Sequence, residues 1–187
     1  MPKTFDRRGF LKSSGAAFGV LSMGSSLDAM VSSQPFLSYR NLKNLGPLRR
    51  PDPLGLRLPA GFSGRLLAKS GAQVPLYDGQ LSAYRWHRAP DGGACFAGED
   101  GSWIYTSNSE VDRVGGAGAL RFAQDGTLVD AYPILQNTNA NCAGGPTPWG
   151  SWLSCEETSY GRVFECDIYG IKQARLCQGL GYFKHEA

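Results

Sequence analysis

The run Ala119-Leu120-Arg121-Phe122-Ala123-Gln124-Asp125-Gly126-Thr127-Leu128-Val129-Asp130-Ala131-Tyr132-Pro133-Ile134-Leu135 sets the fold class. Its centre, Asp125-Gly126-Thr127, predicts a hairpin turn between strands at Ala119–Phe122 and Leu128–Leu135. Short strands of the same kind are predicted on either side, at Arg65–Ala68, Ala94–Ala97, Trp103–Thr106, Ser151–Ser154 and Arg162–Asp167. Asp91-Gly92-Gly93 and Asp100-Gly101 serve as turns between them. Helical periodicity is nearly absent outside the N-terminal leader, and only Phe36–Leu45 has the apolar spacing for a short helix. Many short antiparallel strands separated by glycine predict an all-β chain, specifically a partial β-propeller, with a sandwich as the alternative. A four-stranded blade takes about 40–45 residues, so the chain beyond its first third supplies roughly three blades, too few to close a ring. No clean internal repeat marks the blades.

The N-terminus reads differently. Asp6-Arg7-Arg8-Gly9-Phe10-Leu11-Lys12 is a paired-arginine block followed by a mildly apolar stretch from Gly15 to Leu27, the order of a twin-arginine export signal. A membrane span needs about 20 mostly apolar residues, and this stretch is interrupted by Ser22, Gly24, Ser25, Ser26 and Asp28. The expected organisation is a signal over 1–29, a linker wrapping the domain over 30–61, and an incomplete propeller domain over 62–187. The chain is expected in the periplasm or outside the cell, with the twin-arginine machinery as its export partner and no stable membrane span once mature.

Composition excludes other classes. The formal charge is only +3, and Lys3, Arg7, Arg8 and Lys12 against Asp6 and Asp28 account for +2 of it within the leader. A nearly neutral mature part with no sustained basic stripe gives no support to nucleic-acid binding. The positive patch at Arg40, Lys43, Arg49, Arg50 and Arg57 is interleaved with prolines and reads as linker. Arg85-Trp86-His87-Arg88 faces either a phosphate or water. Gly115-Gly116-Ala117-Gly118 lacks the Lys-Ser/Thr ending of a nucleotide phosphate loop. The 5 cysteines are an odd number, so at least one is unpaired within the chain, and Cys155 with Cys166 is a candidate bridge across neighbouring strands.

Chemistry concentrates in Cys142-Ala143-Gly144-Gly145-Pro146-Thr147-Pro148-Trp149-Gly150-Ser151-Trp152-Leu153-Ser154-Cys155-Glu156-Glu157. Gly144 and Gly145 read as a flexible turn behind a thiol, and Trp149–Ser154 alternates like a half-buried strand that ends on two carboxylates. Alternation sends Glu156 and Glu157 to opposite faces, and Glu156 is the one expected as a ligand. The competing reading keeps Cys142 and Cys155 as small buried hydrophobes and Glu156-Glu157 as a solvated strand end. Trp149 and Trp152 are expected as packing anchors. His87 and His185, the only histidines, lie too far apart in sequence for a compact imidazole motif.

The leader, Asp91-Gly92-Gly93, Ser107-Asn108-Ser109-Glu110, Gly115–Phe122, the run Asn141–Glu157 and Phe183-Lys184-His185-Glu186-Ala187 occur in an order that resembles PhoX-type alkaline phosphatases. The resemblance covers the front portion of a typical member. It implies a secreted propeller that hydrolyses phosphomonoesters with an iron and calcium cluster, so the expected cofactors are iron and calcium and the expected ligands are small phosphate esters. By this resemblance Cys142 is the thiolate shared by two irons and Glu186 an iron-binding carboxylate, and both enter the catalytic set. Glu156 is similar to a calcium-binding or supporting acid, and Asn108 and Glu110 match an Asn-His-Glu segment near the cluster, with Ser109 in place of its histidine. The resemblance also implies ligands beyond Ala187, so the chain is expected to be a truncated and inactive member. A non-catalytic secreted propeller fragment or calcium-binding module is the alternative function.

Overall fold

A computed structural model describes residues 45–98 and 100–186. The paired-arginine leader and residues 36–44 of the expected helix lie outside the described residues. The chain divides into two compact units, Met1–Ser63 and Gly64–Ala187. Within the described part of the first, Asp52 organises a turn by accepting the backbone N–H groups of Leu54 (2.9 Å) and Leu56 (2.8 Å) on its Oδ1.

The second unit is all-β: β1 (Gln73–Pro75), β2 (Leu81–Arg85), β3 (Pro90–Ala97), β4 (Trp103–Ser109), β5 (Gly115–Phe122), β6 (Leu128–Thr138), β7 (Asn141–Pro146), β8 (Trp152–Glu156), β9 (Val163–Cys166) and β10 (Arg175–Leu176), then a 3-10 turn at Gln178–Leu180. They form three separate antiparallel sheets, β1-β2, β3-β4-β5-β6 and β10-β9-β8-β7. The all-β expectation stands, but the partial β-propeller does not: among the described residues no sheet closes into a barrel or a propeller ring. Short strands and glycine turns specify hairpins, which are local; they carry no information on how sheets are arranged about an axis.

The β5–β6 hairpin forms where the sequence placed it. Gly126 sits at φ 81°, Thr127 N donates to Asp125 Oδ1 at 2.9 Å, and Ala123 N to Thr127 O at 2.9 Å. Strand β5 is buried on both faces, which suits a run of glycine, alanine and leucine with no polar alternation. One face joins Ile104, Ala117, Ala119 and Ile134 to Trp152 and Cys166, so the two four-stranded sheets share a core. The other packs Leu120, Phe122, Leu128 and Ala131 against Val74 and Trp86 of the small sheet and its flank.

Four local expectations change, the first being Asp91-Gly92-Gly93, expected as a turn and found inside strand β3. Residues 65–68 form no strand, whereas Gly144-Gly145, expected to be a turn, lies within strand β7. Its partner decides this: β8 supplies the ladder, and Gly144 is needed because a Cβ there would collide with the Leu153 carbonyl and the Trp152 ring. The Cys155–Cys166 bridge is absent and all five cysteines are free. Cys155 pairs with Val163 and Cys166 with Trp152, so the two thiols stand at different rungs of the ladder, on opposite faces.

Candidate metal centre

Two hairpins of the same construction build the site. In β3–β4, Pro90 pairs with Ser109 and Gly93 with Ser107, so Asp91 and Gly92 bulge opposite Asn108. In β7–β8, Asn141 pairs with Glu156 and Gly144 with Ser154, so Cys142 and Ala143 bulge opposite Cys155. Such a bulge re-aims the side chain of the inserted residue. Each bulge follows an alanine in the left-handed region, Ala89 (φ 43°) and Ala140 (φ 43°). Each of those alanines accepts, on its carbonyl, the backbone N–H of the acid that ends the hairpin: Glu110 N to Ala89 O at 2.9 Å, and Glu157 N to Ala140 O at 2.8 Å. Non-glycine residues held at positive φ are costly and persist where the surroundings enforce them.

The bulges lie back to back. A Cβ on Gly92 would stand 2.6 Å from the Cys142 carbonyl oxygen, so only glycine permits this approach. Asn108, fully buried, locks the arrangement. Its Nδ2 donates to Cys142 O (2.8 Å) and Ala143 O (2.7 Å), and its Oδ1 accepts from Trp152 Nε1 (2.9 Å) and Ser154 Oγ (2.7 Å). Asn141 continues the network, donating to Ser154 Oγ at 2.9 Å and accepting from Thr138 Oγ1. The result brings one ligand atom each from Asp91, Glu110 and Cys142 within 4.8 Å of one another.

The charge state of this trio follows from its neighbours. Burial first, then hydrogen bonding to Glu157 and the negative charges of Asp91, Glu157 and Glu110, push the Cys142 thiol up to about 12. A hydrogen bond with Asp91, followed by burial and the charge of Asp91, raises the Glu110 carboxyl above its ordinary range. Among the described residues no Lys or Arg forms an ion pair with Asp91 or Glu110. The trio therefore gathers acceptor groups that repel one another and lack an internal counter-charge. A cation of charge two or more would relieve both the repulsion and the thiol's reluctance to ionise.

The other expected residues fall elsewhere. Asn108 has both polar atoms engaged twice, so it positions Cys142 rather than offering a ligand atom. Glu156 is buried and is not one of the trio. Its Oε1 accepts Asn139 N (2.8 Å) and Arg162 Nη2 (2.7 Å), and its Oε2 accepts Arg162 N (3.0 Å) and Nε (2.8 Å). Burial pushes this carboxyl up, but the Arg162 guanidinium and the backbone donors outweigh it and hold the group below the usual range. Glu186 pairs with Lys184 at 3.3 Å and is outside the trio. Of the five expected ligands, the structure brings Cys142 and Glu110 together.

Asp91 joins them although its segment reads as a turn, and Glu157 stands beside Cys142 and Glu110 although alternation favoured Glu156. Alternation does separate the two glutamates; it does not say which face looks inward. The available signal for Asp91 was the glycine pair behind it, which marks close backbone approach as well as turns.

The cluster bears out the metal part of the cofactor expectation, as a group able to hold a metal ion, and does not identify the ion. Two carboxylates and a thiol do not specify an iron–calcium pair. Calcium takes six to eight oxygen ligands, and a sulfur among three donors fits it poorly. The mixed oxygen and sulfur set is that of a generic candidate cation site. The twin-arginine signal has no structural support, since it lies outside the described residues. Among the described residues no helix is long and apolar enough to cross a membrane.

No curated protein and no solved structure is similar enough to the chain to count as a match. Glu110, Cys142 and Glu157, with the whole of β4 to β9, fall inside a stretch that fits a known family: residues 100–173, less than half of the chain, match the model for the family described as alkaline phosphatase PhoX.

Proposed function

We propose that this chain contributes a metal centre to the hydrolysis of phosphate monoesters outside the cytoplasm. The observation that carries this reading is the convergence of Asp91, Glu110 and Cys142, two of them inside the PhoX match, on one point without an internal cation. The donor set suits a first-row transition-metal ion, for which carboxylate and thiolate are both good ligands. Such an ion would supply Lewis acidity toward a phosphate ester and its attacking water. The chain's own part is to hold the ligands. The paired bulges aim Asp91 and Cys142 at each other, Asn108 fixes the Cys142 backbone, and the Glu156–Arg162 pair secures the β8 end from which Glu157 projects. These supports leave little to reorganise when an ion binds.

The test combines elemental analysis of the purified chain with hydrolysis of p-nitrophenyl phosphate after loading with manganese, cobalt or iron. The expected result is metal uptake and hydrolysis in the wild type, with both falling by about a hundredfold in Cys142→Ala. Equal hydrolysis by the two proteins, or metal uptake with no hydrolysis under any ion, would reject the reading.

A further inference from the structure

Asn108 locks the trio from one face of β4, and alternation puts Ser107 and Ser109 on the other. Both serines are buried, and both reach the segment that delivers Asp91. Ser109 Oγ donates to Arg88 O at 2.8 Å, and Ser107 Oγ lies 3.4 Å from Asp91 O and 3.3 Å from Asn108 O. Behind Ser107 stands His87, with Nε2 3.2 Å from Ser107 Oγ and Nδ1 3.1 Å from Tyr84 Oη. The ring fits because Ser107 has glycine on both sides of its rung, Gly93 and Gly118. A Cβ on Gly118 would stand 2.8 Å from Tyr84 Oη and 2.9 Å from His87 Nδ1. Burial pushes the Tyr84 phenol up to about 12 and lowers His87 to about 4, so at neutral pH the phenol keeps its proton and the imidazole is neutral. The hydrogen bonds then run one way. The Asp91 and Asn108 carbonyls only accept, so the Ser107 proton is directed at them; Nε2 carries the ring proton and donates to Ser107 Oγ, and Nδ1 accepts the Tyr84 proton.

We infer that His87 is a positioning residue of the metal centre: acting through Ser107 from the far face of β4, it holds the backbone of the Asp91 bulge where the Asp91 carboxylate meets Glu110 and Cys142. This rests on reading that trio as a metal centre. Asn108 fixes the Cys142 bulge from the trio's own side, and His87 does the same for the Asp91 bulge from behind. The chain from Tyr84 to Ser107 touches no ligand atom, so its loss changes where Asp91 is held and not what the site is made of. An ion that needs three donors at once feels that displacement more than the fold does, because the fold on this face rests on the apolar packing of Val74, Trp86, Leu120 and Phe122.

The test is calorimetric titration of Co²⁺ into the full chain, comparing wild type with His87→Phe, His87→Gln, Ser107→Ala, the double variant H87F/S107A and Cys142→Ser, with thermal melts of each. Phe keeps a flat ring beside Trp86 and loses both nitrogens, whereas the Gln amide can place an N–H where Nε2 stands. The expected result is Co²⁺ binding that C142S abolishes and that weakens by about tenfold in H87F and in S107A. It returns to within about twofold of wild type in H87Q, and falls no further in the double variant than in S107A alone. A lower melting temperature in H87F with unchanged Co²⁺ affinity overturns the inference, as does equal weakening in H87Q and H87F, or a double variant in which the two losses multiply. Binding that C142S abolishes, with superimposable wild-type and H87F isotherms, overturns the positioning role and leaves the metal centre standing. Absence of any C142S-sensitive binding removes both. Should H87F fail to fold, the comparison of S107A with H87Q carries the same expectations.

Discussion

The β3–β4 and β7–β8 hairpins share a backbone plan and differ in what they do with it. Both place a two-residue bulge opposite one residue, after an alanine at positive φ, and both end on an acid tied back to that alanine. The first bulge presents Asp91, the second Cys142. Opposite the first stands Asn108, buried and saturated with hydrogen bonds to the second hairpin; opposite the second stands Cys155, half-buried, whose thiol burial pushes up. The backbone thus fixes where donor atoms go, and residue identity fixes whether a position holds the structure or binds. The link between the two is uneven: among the described residues a buried side chain of the first hairpin, Asn108, bonds two backbone carbonyls of the second, and no side chain of the second does the same to the first.

That asymmetry predicts unequal costs. Asn108→Ala strands two carbonyls, an indole N–H and a hydroxyl in a buried setting, and each unsatisfied group costs about 1–3 kcal/mol with partial relaxation. A loss of about 4 kcal/mol in urea unfolding is expected, with loss of metal binding; a loss below about 1 kcal/mol would mean that the clamp is dispensable.

Glu156→Gln comes next. Removing one partner of a buried, hydrogen-bonded ion pair costs about 3–5 kcal/mol, and the partial exposure of Arg162 places this case near the lower figure. The folded-state Glu156 pKa is lowered, so its contribution is present above the unfolded-state value and is lost as pH falls through the folded one. Unfolding of the wild type should therefore ease steeply below about pH 4, where the ordinary carboxyl titrates. In the Gln variant that acid dependence should be weaker, and parallel profiles would remove Glu156 as its source.

Gly92→Ala tests the contact between the bulges. Overpacking costs about 1–3 kcal/mol, and here the clash is with the Cys142 carbonyl. Metal affinity should fall more than stability does; an unchanged affinity would show that the close approach does not position the thiol. The smallest effect belongs to Cys155→Ser. A half-buried thiol on the outward face of β8 should cost less than about 1 kcal/mol and leave metal binding intact.

Turns were readable from sequence because their causes are local: Asp125-Gly126-Thr127 needs only its own residues to reverse the chain. Strand β7 was not, because glycine and proline propensities argue for a loop and the β8 ladder overrides them. The Cys142 thiol stood out in a dense context and Glu110 entered through the family resemblance, and the structure brings the two together. Asp91 did not stand out, since Asp-Gly-Gly looks the same in a hairpin turn and in a bulge. Glu157 was passed over because a two-residue period separates faces without naming the one that turns toward the other sheet. The propeller expectation failed for a related reason, since sheet arrangement depends on contacts far apart in sequence.

Cys142 and two carboxylates from separate segments make one candidate cation site. Cobalt(II) titration followed by near-ultraviolet absorption reads it directly, because a thiolate ligand produces a charge-transfer band that carboxylates do not. The account predicts a saturable band in the wild type that disappears in Cys142→Ser, with the other four cysteines intact, and that needs a higher cobalt concentration in Asp91→Asn. A band that survives in Cys142→Ser, or no band in the wild type, would contradict it.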